Sequence, residues 1–200
     1  DQSVDEDNTF TYTLSASDVD DVELEYTASV DGNASVSIVG SSLSIAPYLN
    51  YYGDIAVSIT VSDGQVSVSE EFILSVVQIN DPPVLHLIGS QSIDEDNTFT
   101  YTLSANDVDG DALTYFETII SGDADGNITD NILTVIPATD FFGEVQISVA
   151  VTDGVLSDNE IFILDVLSVN DAPTIIVTLE DLDVDEDSNA ITIDLSTVFN

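Results

Sequence analysis

The sequence predicts an all-β protein made of tandem β-sandwich domains, and two observations lead to this prediction. The first is a long internal repeat, because the segment 4–20 returns at 93–109 with only two differences. The second is a series of short runs in which apolar and polar residues alternate, separated by clusters of Gly, Asp, Asn and Pro. The chain has 200 residues, 44% of them hydrophobic, which is enough apolar material for buried cores.

The period of the repeat sets the predicted domain size. The first landmarks are 89 residues apart, and "PYLNYYGD" (47–54) returns 90 residues later as "PATDFFGE" (137–144). A period of this length corresponds to a whole domain and not to one unit of a solenoid. "NDPP" and "NDAP" close each copy, because Pro has no N–H for a sheet ladder. The predicted domains are a first repeat without its first strand (1–81), a complete second repeat (82–171) and the start of a third (172–200).

Five runs in the second repeat are rich in β-branched and aromatic residues and are predicted to be strands. They are 98–104, 113–119, 132–136, 145–151 and 161–169, and by register 84–88 is the strand that the first repeat lacks. "SGDADGN" (121–127) is one of the turn clusters between the strands. Within it, "DADGN" (123–127) is similar to the start of an EF-hand loop, but it is predicted to be a turn, because the Glu expected at the twelfth position is Thr134. Six or seven short strands in about 90 residues indicate an antiparallel sandwich of the immunoglobulin type.

The charge of the chain excludes several classes of partner. There are 39 acidic residues, one His and neither Lys nor Arg, so the formal net charge is −39. Binding to nucleic acid or to an anionic membrane surface depends on basic side chains and is excluded. Cys is absent, and no apolar run is long enough to span a membrane. The positive charge that balances the carboxylates must come from solution.

Acidic residues gather at the predicted ends of each domain. In an up-and-down sandwich, the loops after alternate strands meet at one pole, so Asp107, Asp109 and Asp153 are expected to converge with the linker residues Asn80 and Asp81. Carboxylates this close repel one another unless a cation lies between them. Oxygen ligands without nitrogen or sulfur suit a hard ion, and six to eight flexible oxygens favour Ca²⁺ over Mg²⁺.

These motifs resemble a known family. "DED", "DVDGD", "LNYYG/TDFFG", "SDG/TDG" and "NDPP/NDAP" follow the order of the calcium-binding motifs of cadherin repeats. They look closer still to the bacterial cadherin-like tandem repeats of very large surface and adhesin proteins. The resemblance implies seven-stranded Greek-key sandwiches with Ca²⁺ bound at the junctions between domains. This sequence departs from the family's pattern in the linker, where Gln78 and Ser168 stand in place of an acid. It also departs at Tyr52 and Phe142, which stand in place of the family's Glu.

Carried over position by position, the resemblance implies three sets of metal ligands. The first junction would use Glu6, Asn50, Asn80, Asp81, Asp107, Asp109 and Asp153. The second would use Glu95, Asp140, Asn170 and Asp171. A half-site at the start of the chain would use Asp18, Asp20 and Asp63. Which of Asp5, Glu6 and Asp7 is the ligand stays open.

The predicted function is that of a calcium-rigidified extracellular spacer or adhesion repeat in a large cell-surface or secreted protein. The expected partners are calcium ions and neighbouring repeats of the same chain. Two alternatives stay open: a module that binds carbohydrate or copies of itself, and a subunit of an extracellular filament built by strand exchange. Catalysis is not expected, because the paired carboxylates lie in turns suited to coordination and His86 has no nucleophilic partner.

Overall fold

The computed structural model describes residues 2–20, 23–173, 183–187 and 189–192. Most of the predicted third repeat, 172–200, therefore lies outside the described residues. The described part is all-β, and it contains no helix with the length and apolar character needed to cross a membrane. Its strands are β1 (Gln2–Asp5), β2 (Phe10–Thr13), β3 (Glu25–Val30), β4 (Ala34–Val39), β5 (Ser42–Pro47), β6 (Gly53–Ser62), β7 (Ser67–Val77), β8 (Val84–Leu85), β9 (Gln91–Asp94), β10 (Phe99–Thr102), β11 (Ala105–Asn106), β12 (Thr114–Ser121), β13 (Ala124–Thr129), β14 (Ile132–Pro137), β15 (Gly143–Thr152) and β16 (Ser157–Leu167).

The sheets of the two sequence repeats have the same strand order. In the first repeat they are β1-β7-β6-β3 and β2-β5-β4, and in the second they are β9-β16-β15-β12 and β10-β14-β13. The pairs β1–β7 and β9–β16 are parallel, while β2–β5, β3–β6 and β6–β7 are antiparallel. The second repeat has one further pair, in which β8 runs antiparallel to β11. The predicted immunoglobulin-type sandwich is confirmed.

The chain divides by spatial proximity into two compact units. Unit 1 comprises Asp1–His86, Ser104–Tyr115 and Ala150–Asn159, and unit 2 comprises Leu87–Leu103, Phe116–Val149 and Glu160–Asn200. This division follows proximity and not the sequence repeat, so the boundaries at 81/82 and 171/172 stay predictions.

The core of the first repeat is formed by both of its sheets. Leu43 and Ile45 of β5 pack in one cluster with Ile55 of β6 and Leu74 of β7, and all four are fully buried. The alternation of β6 explains this, since residues 55 and 57 point inward while 54 and 56 are exposed. In the second repeat, the buried residues at the matching places are Leu133, Val135, Val145, Ile147 and Leu164.

One sequence prediction is wrong: the turn assigned to 121–127 contains the start of a strand. β13 (Ala124–Thr129) pairs antiparallel with β14, and Gly126 lies opposite Val135. Asp, Gly and Asn are the residue types that turns favour, but in this segment Gly126 allows two strands to pack closely. A Cβ atom there would lie 3.1 Å from Ile119 Cδ1 and 3.3 Å from Glu117 Cγ.

Candidate metal centre

Carboxylates from distant parts of the chain meet in unit 1. Glu6, Asp81 and Asp109 each place one carboxylate oxygen within 4.8 Å of the others. A second group, made of Asp107, Asp109 and Asp111, meets the same condition and shares Asp109 with the first. We call these five residues the Asp81 cluster. All five belong to unit 1.

Glu6 positions the linker that carries Asp81. It follows β1, it is only 3% exposed, and its backbone N–H donates to Val77 O at 2.9 Å. The side chain then accepts a hydrogen bond from the backbone N–H of Ile79 at 2.6 Å to Oε1. A buried carboxylate in this position directs the chain that leaves β7, and Asp81 follows two residues later.

The segment 107–111 is shaped by its own carboxylates. Asp107 Oδ1 accepts hydrogen bonds from the backbone N–H groups of Asp109 at 2.9 Å and Asp111 at 3.3 Å. Asp109 in turn accepts from the backbone N–H of Asp81 at 2.7 Å and from Gln78 Nε2 at 2.8 Å. The bond from Asp81 N–H, followed by that from Gln78, lowers the pKa of Asp109. Asp109 is therefore held as a carboxylate.

Two carboxylate oxygens of the cluster are buried without a hydrogen-bond donor among the described residues. They are Asp81 Oδ2 and Asp107 Oδ2. Desolvation raises the pKa of Asp81, and the negative charges of Asp109, Asp7 and Asp107 raise it further. A buried acceptor normally has a partner, because leaving it unpaired costs free energy. These two oxygens have lone pairs free for a cation.

Asn80 and Asp153 border the cluster. Asn80 Nδ2 donates to Asp153 Oδ2 at 2.8 Å and to Asp81 O at 3.2 Å. Asp153 Oδ1 also accepts the backbone N–H groups of Val155 and Leu156, at 2.6 and 2.7 Å. The bond from Asn80, followed by these two, lowers the pKa of Asp153. Asp153 is thus tied to the linker and stays charged.

Asn50 is connected to the same region through its backbone. Its N–H donates to Asp7 Oδ1 at 2.8 Å, and both residues have a left-handed backbone, with φ of 57° and 60°. Asp7, the third acid of "DED", therefore fixes the turn at Asn50. Its charge also contributes to raising the pKa of Asp81.

Unit 2 contains a similar but smaller group of carboxylates. Asp96, Asp140 and Asp171, here called the Asp171 cluster, place one oxygen each within 4.8 Å of one another. Glu95 is 4% exposed and accepts the backbone N–H of Val169 at 2.6 Å, as Glu6 does with Ile79. Desolvation, followed by the charges of Asp140, Glu95 and Asp96, raises the pKa of Asp171. Asn170 Nδ2 donates to Asp171 O at 3.0 Å.

Five predicted carboxylates belong to none of the carboxylate groups found among the described residues: Asp153 and Glu95, described above, and Asp18, Asp20 and Asp63. Asp18 Oδ1 accepts the backbone N–H of Asp20 at 2.8 Å, the same turn that Asp107 makes with Asp109. Asp63 Oδ1 accepts the backbone N–H groups of Gln65 and Val66, and these bonds lower its pKa.

Sequence reasoning missed two residues of the clusters. Asp111 is the last acid of "DVDGD", and its exclusion from the predicted set followed from the family's Asp-x-Asp pattern. Asp96 joins the Asp171 cluster, where the prediction named Glu95. The run of three acids in the sequence could have indicated Asp96. Only the structure shows that Glu95 accepts the backbone N–H of Val169, while Asp96, which has a left-handed backbone with φ of 61°, joins the cluster.

Comparison with known proteins agrees with this architecture. Residues 80–161 match the family model of the bacterial Ig domain. Human protocadherin-24 EC1-2 is 18% identical with a TM-score of 0.50, over 78% of this chain and 88% of that one. Protocadherin Gamma B2 EC1-5 is 20% identical with a TM-score of 0.49, over 96% of this chain and 43% of that one. Comparison of the sequence with curated proteins gives no match.

The comparison with solved structures also returns part of an enzyme. The endo-fucoidan hydrolase MfFcnA4 of glycoside hydrolase family 107 is 15% identical with a TM-score of 0.35. The match covers 83% of this chain and 27% of the hydrolase, so the chain spans about a quarter of that enzyme. Residues 80–161 are therefore similar to a bacterial Ig domain, and the chain shares its fold with the repeats of human protocadherin-24.

Proposed function

We propose that the chain is a calcium-binding spacer or adhesion repeat of a large extracellular or cell-surface protein, with calcium held by the Asp81 cluster. The observation that carries this proposal is the pair of buried, unpartnered oxygens, Asp81 Oδ2 and Asp107 Oδ2, among other carboxylates. The chain has no Lys or Arg that could neutralise them. A cation from solution supplies the missing charge.

The chemistry of the donor set favours Ca²⁺. Glu6, Asp81, Asp107, Asp109 and Asp111 offer only oxygen, and the neighbouring Asn80, Asn50 and Asp153 add further oxygen atoms. Zn²⁺ prefers nitrogen and sulfur ligands, and Mg²⁺ demands a small octahedral shell, whereas Ca²⁺ accepts many oxygens in flexible arrangements. The Asp171 cluster, with Glu95 and Asn170, would form a second site of the same chemistry, and Asp18, Asp20 and Asp63 a further half-site.

Calcium at the Asp81 cluster would connect segments that are far apart in the sequence. Glu6 lies after β1, Asp81 lies in the linker after β7, and Asp107–Asp111 lies between β11 and β12. An ion that binds only the folded arrangement stabilises it by RT ln(1 + [L]/Kd), about 2.7 kcal/mol at a hundredfold excess over Kd. Extracellular modules bind calcium at about 10⁻⁴–10⁻³ M, so the proposed stiffening operates outside the cell.

Thermal unfolding in calcium, in magnesium and in chelator tests the proposal. Calcium is expected to raise Tm and to change the radius of gyration measured by small-angle scattering, and magnesium at the same ionic strength to do so less. Asp165→Asn provides a matched control, because this exposed residue of β16 belongs to neither cluster. Equal Tm values and equal scattering dimensions in calcium and chelator would refute the proposal.

A further inference from the structure

Two five-residue segments of the chain share the pattern Asp-Gly-Asn-x-Ser/Thr. They are "DGNAS" (31–35) and "DGNIT" (125–129), and they contain the only two Asn-x-Ser/Thr triplets of the sequence. Such a triplet, where x is not Pro, is the acceptor of N-linked glycosylation. Here the same two residues, Asp and Gly, precede both triplets, so the shared pattern is longer than the triplet itself.

The duplication of the domain does not explain why the pattern occurs twice. Asn33 and Asn127 are 94 residues apart, whereas the landmarks of the internal repeat are 89 or 90 apart. Asn33 directly precedes β4, while Asn127 lies in the middle of the matching strand β13. The residue of β4 at the place of Asn127 is Ser37. The two copies of the pattern therefore occupy different places in the fold.

The residues that define the pattern are exposed in β13. Asp125, Asn127 and Thr129 are exposed, and the two residues between them are half-buried. Successive side chains of a strand point to opposite faces, so the acid, the Asn and the hydroxyl residue share the outward face. In the first copy, residues 31, 33 and 35 are likewise exposed, while Ala34 is buried.

The amide nitrogens of both Asn side chains are accessible to a reagent. Among the described residues, neither Asn33 Nδ2 nor Asn127 Nδ2 donates a hydrogen bond. Thr129 Oγ1 donates to Asn127 Oδ1 at 3.3 Å. The hydroxyl and the amide of this triplet thus lie side by side, as recognition of both by one enzyme requires.

Local structure accounts for Asn33 but not for Asn127. Asn33 has a left-handed backbone, with φ of 60°, which Asn adopts more readily than most residues, and its carbonyl oxygen accepts Tyr48 N–H at 2.8 Å. Asn127 instead lies inside a paired strand, opposite Thr134, where Asn is unfavourable. A residue that the strand disfavours, with a free amide nitrogen, indicates a role other than folding.

The surface around Asn127 suits an attached sugar. Ile132 and Ile136 of β14 lie opposite Thr129 and Asp125, and they are 47% and 52% exposed. Residues directly opposite in an antiparallel pair project from the same face, so the two Ile side chains flank Asn127. Asp125 is the only charged residue of β10, β13 and β14. A glycan at Asn127 would therefore cover exposed apolar side chains.

We propose that Asn127 and Asn33 are acceptors of N-linked glycans. The acid two positions before each, Asp125 or Asp31, is the residue by which the transferase selects them, because it can pair with a basic side chain of that enzyme. The inference rests on the proposed extracellular location, since chains meet such transferases during export.

The donor is an oligosaccharide activated on a lipid-linked diphosphate. In the transfer, Asn Nδ2 forms a bond to the anomeric carbon of the sugar, and the bond from that carbon to the diphosphate oxygen breaks. The electron pair of the broken bond leaves with the diphosphate, and Nδ2 gives one proton to a base of the transferase. The product is a neutral glycosyl amide.

Export of the full chain in a bacterial strain that carries an oligosaccharyltransferase and a lipid-linked oligosaccharide of known mass tests the proposal. The same strain without the transferase is the blank. The mass of the intact chain counts the glycans, and the masses of its peptides locate them. Asn127→Gln and Asn33→Gln each remove one acceptor. Asn159→Gln is the matched control, because Asn159 is exposed in β16 but has Ile161 in place of the hydroxyl residue.

A second pair of variants tests the selecting acid. Asp125→Asn removes the acid before Asn127, and Asp130→Asn removes another exposed acid just beyond the triplet. Asp125→Asn is expected to lower the ratio of glycosylated to unmodified Asn127 at least about tenfold, and Asp130→Asn to leave it unchanged.

The parent is expected to gain the mass of two glycans, each Asn→Gln variant of an acceptor the mass of one, and Asn159→Gln the same as the parent. A parent without a glycan at Asn127 would overturn the proposal, as would equal modification in Asp125→Asn. Calcium does not enter the measured mass, so failure here and failure of the calcium proposal are distinguishable.

Discussion

Replacement of Asp81 by Asn should have opposite effects with and without calcium. In chelator, the pKa of the Asp81 carboxyl is raised by desolvation and by the charges of Asp109, Asp7 and Asp107. A folded-state pKa above the unfolded value means that folding loses stability as the pH rises through the folded pKa, so the ionised group is unfavourable at pH 7. Asp81→Asn should therefore raise Tm in chelator.

In calcium, the same substitution removes one of the three carboxylates of the group Glu6, Asp81 and Asp109. With Kd near 10⁻⁴ M and calcium at about 10 mM, one ion stabilises the parent by about 2.7 kcal/mol. For a chain of this size, that free energy corresponds to a rise in Tm of roughly 5–10 °C. A tenfold weaker Kd in Asp81→Asn lowers the stabilisation to about 1.4 kcal/mol and halves the rise in Tm.

Differential scanning calorimetry of parent and variant, each in calcium and in chelator, measures both effects. Asp165→Asn again provides the control, because it removes one exposed negative charge without changing either cluster. If Asp81→Asn lowers Tm in chelator, or if its response to calcium equals that of the parent, the reasoning is refuted.

Three further predictions concern stability in chelator. Glu6→Ala removes the acceptor of the Ile79 N–H and should cost about 1–3 kcal/mol in urea unfolding, whereas an unchanged midpoint would show that this bond contributes nothing. Asp63→Asn should lower Tm at pH 7, because the lowered pKa of Asp63 adds stability above the unfolded pKa of about 3.9. This stability is lost as the pH falls through the folded pKa, so the difference from the parent should shrink in acid, and a constant difference would contradict the reasoning. Gly122→Ala should destabilise unit 2 by more than 1 kcal/mol, because its Cβ would lie 2.8 Å from Val145 Cα, whereas Gly110→Ala, with no atom within 4 Å, bears only the backbone cost; equal losses would contradict the packing at Gly122.

Much of the fold follows from local patterns in the sequence. β15 alternates Val145, Ile147, Val149 and Val151, and all four are fully buried as a half-buried strand requires. β13 was not predicted, because a Gly in this segment suggests a turn. Gly126 instead allows a close approach of Ile119, and that approach is set by the neighbouring strand and not by local propensity.

The candidate site could likewise be predicted only in part from the sequence. The pairing of Asp81 with Asp109 could be expected, because linkers and turns at one end of a sandwich lie close together. The separate tasks of Glu6 and Asp7 could not, since one is buried against Ile79 and the other, with a left-handed backbone, holds Asn50. Nor does the sequence show that Asp81 and Asp107 each keep one oxygen unpaired while their neighbours accept backbone N–H groups.

A crystal structure of the chain grown in calcium tests the central claim most directly. Anomalous scattering is expected to show an ion in contact with Asp81 Oδ2 and Asp107 Oδ2, the two oxygens without a donor. Metal–oxygen distances of about 2.3–2.6 Å would identify the ion as calcium. Protein donors on these oxygens, or ordered water without an anomalous signal, would contradict the account.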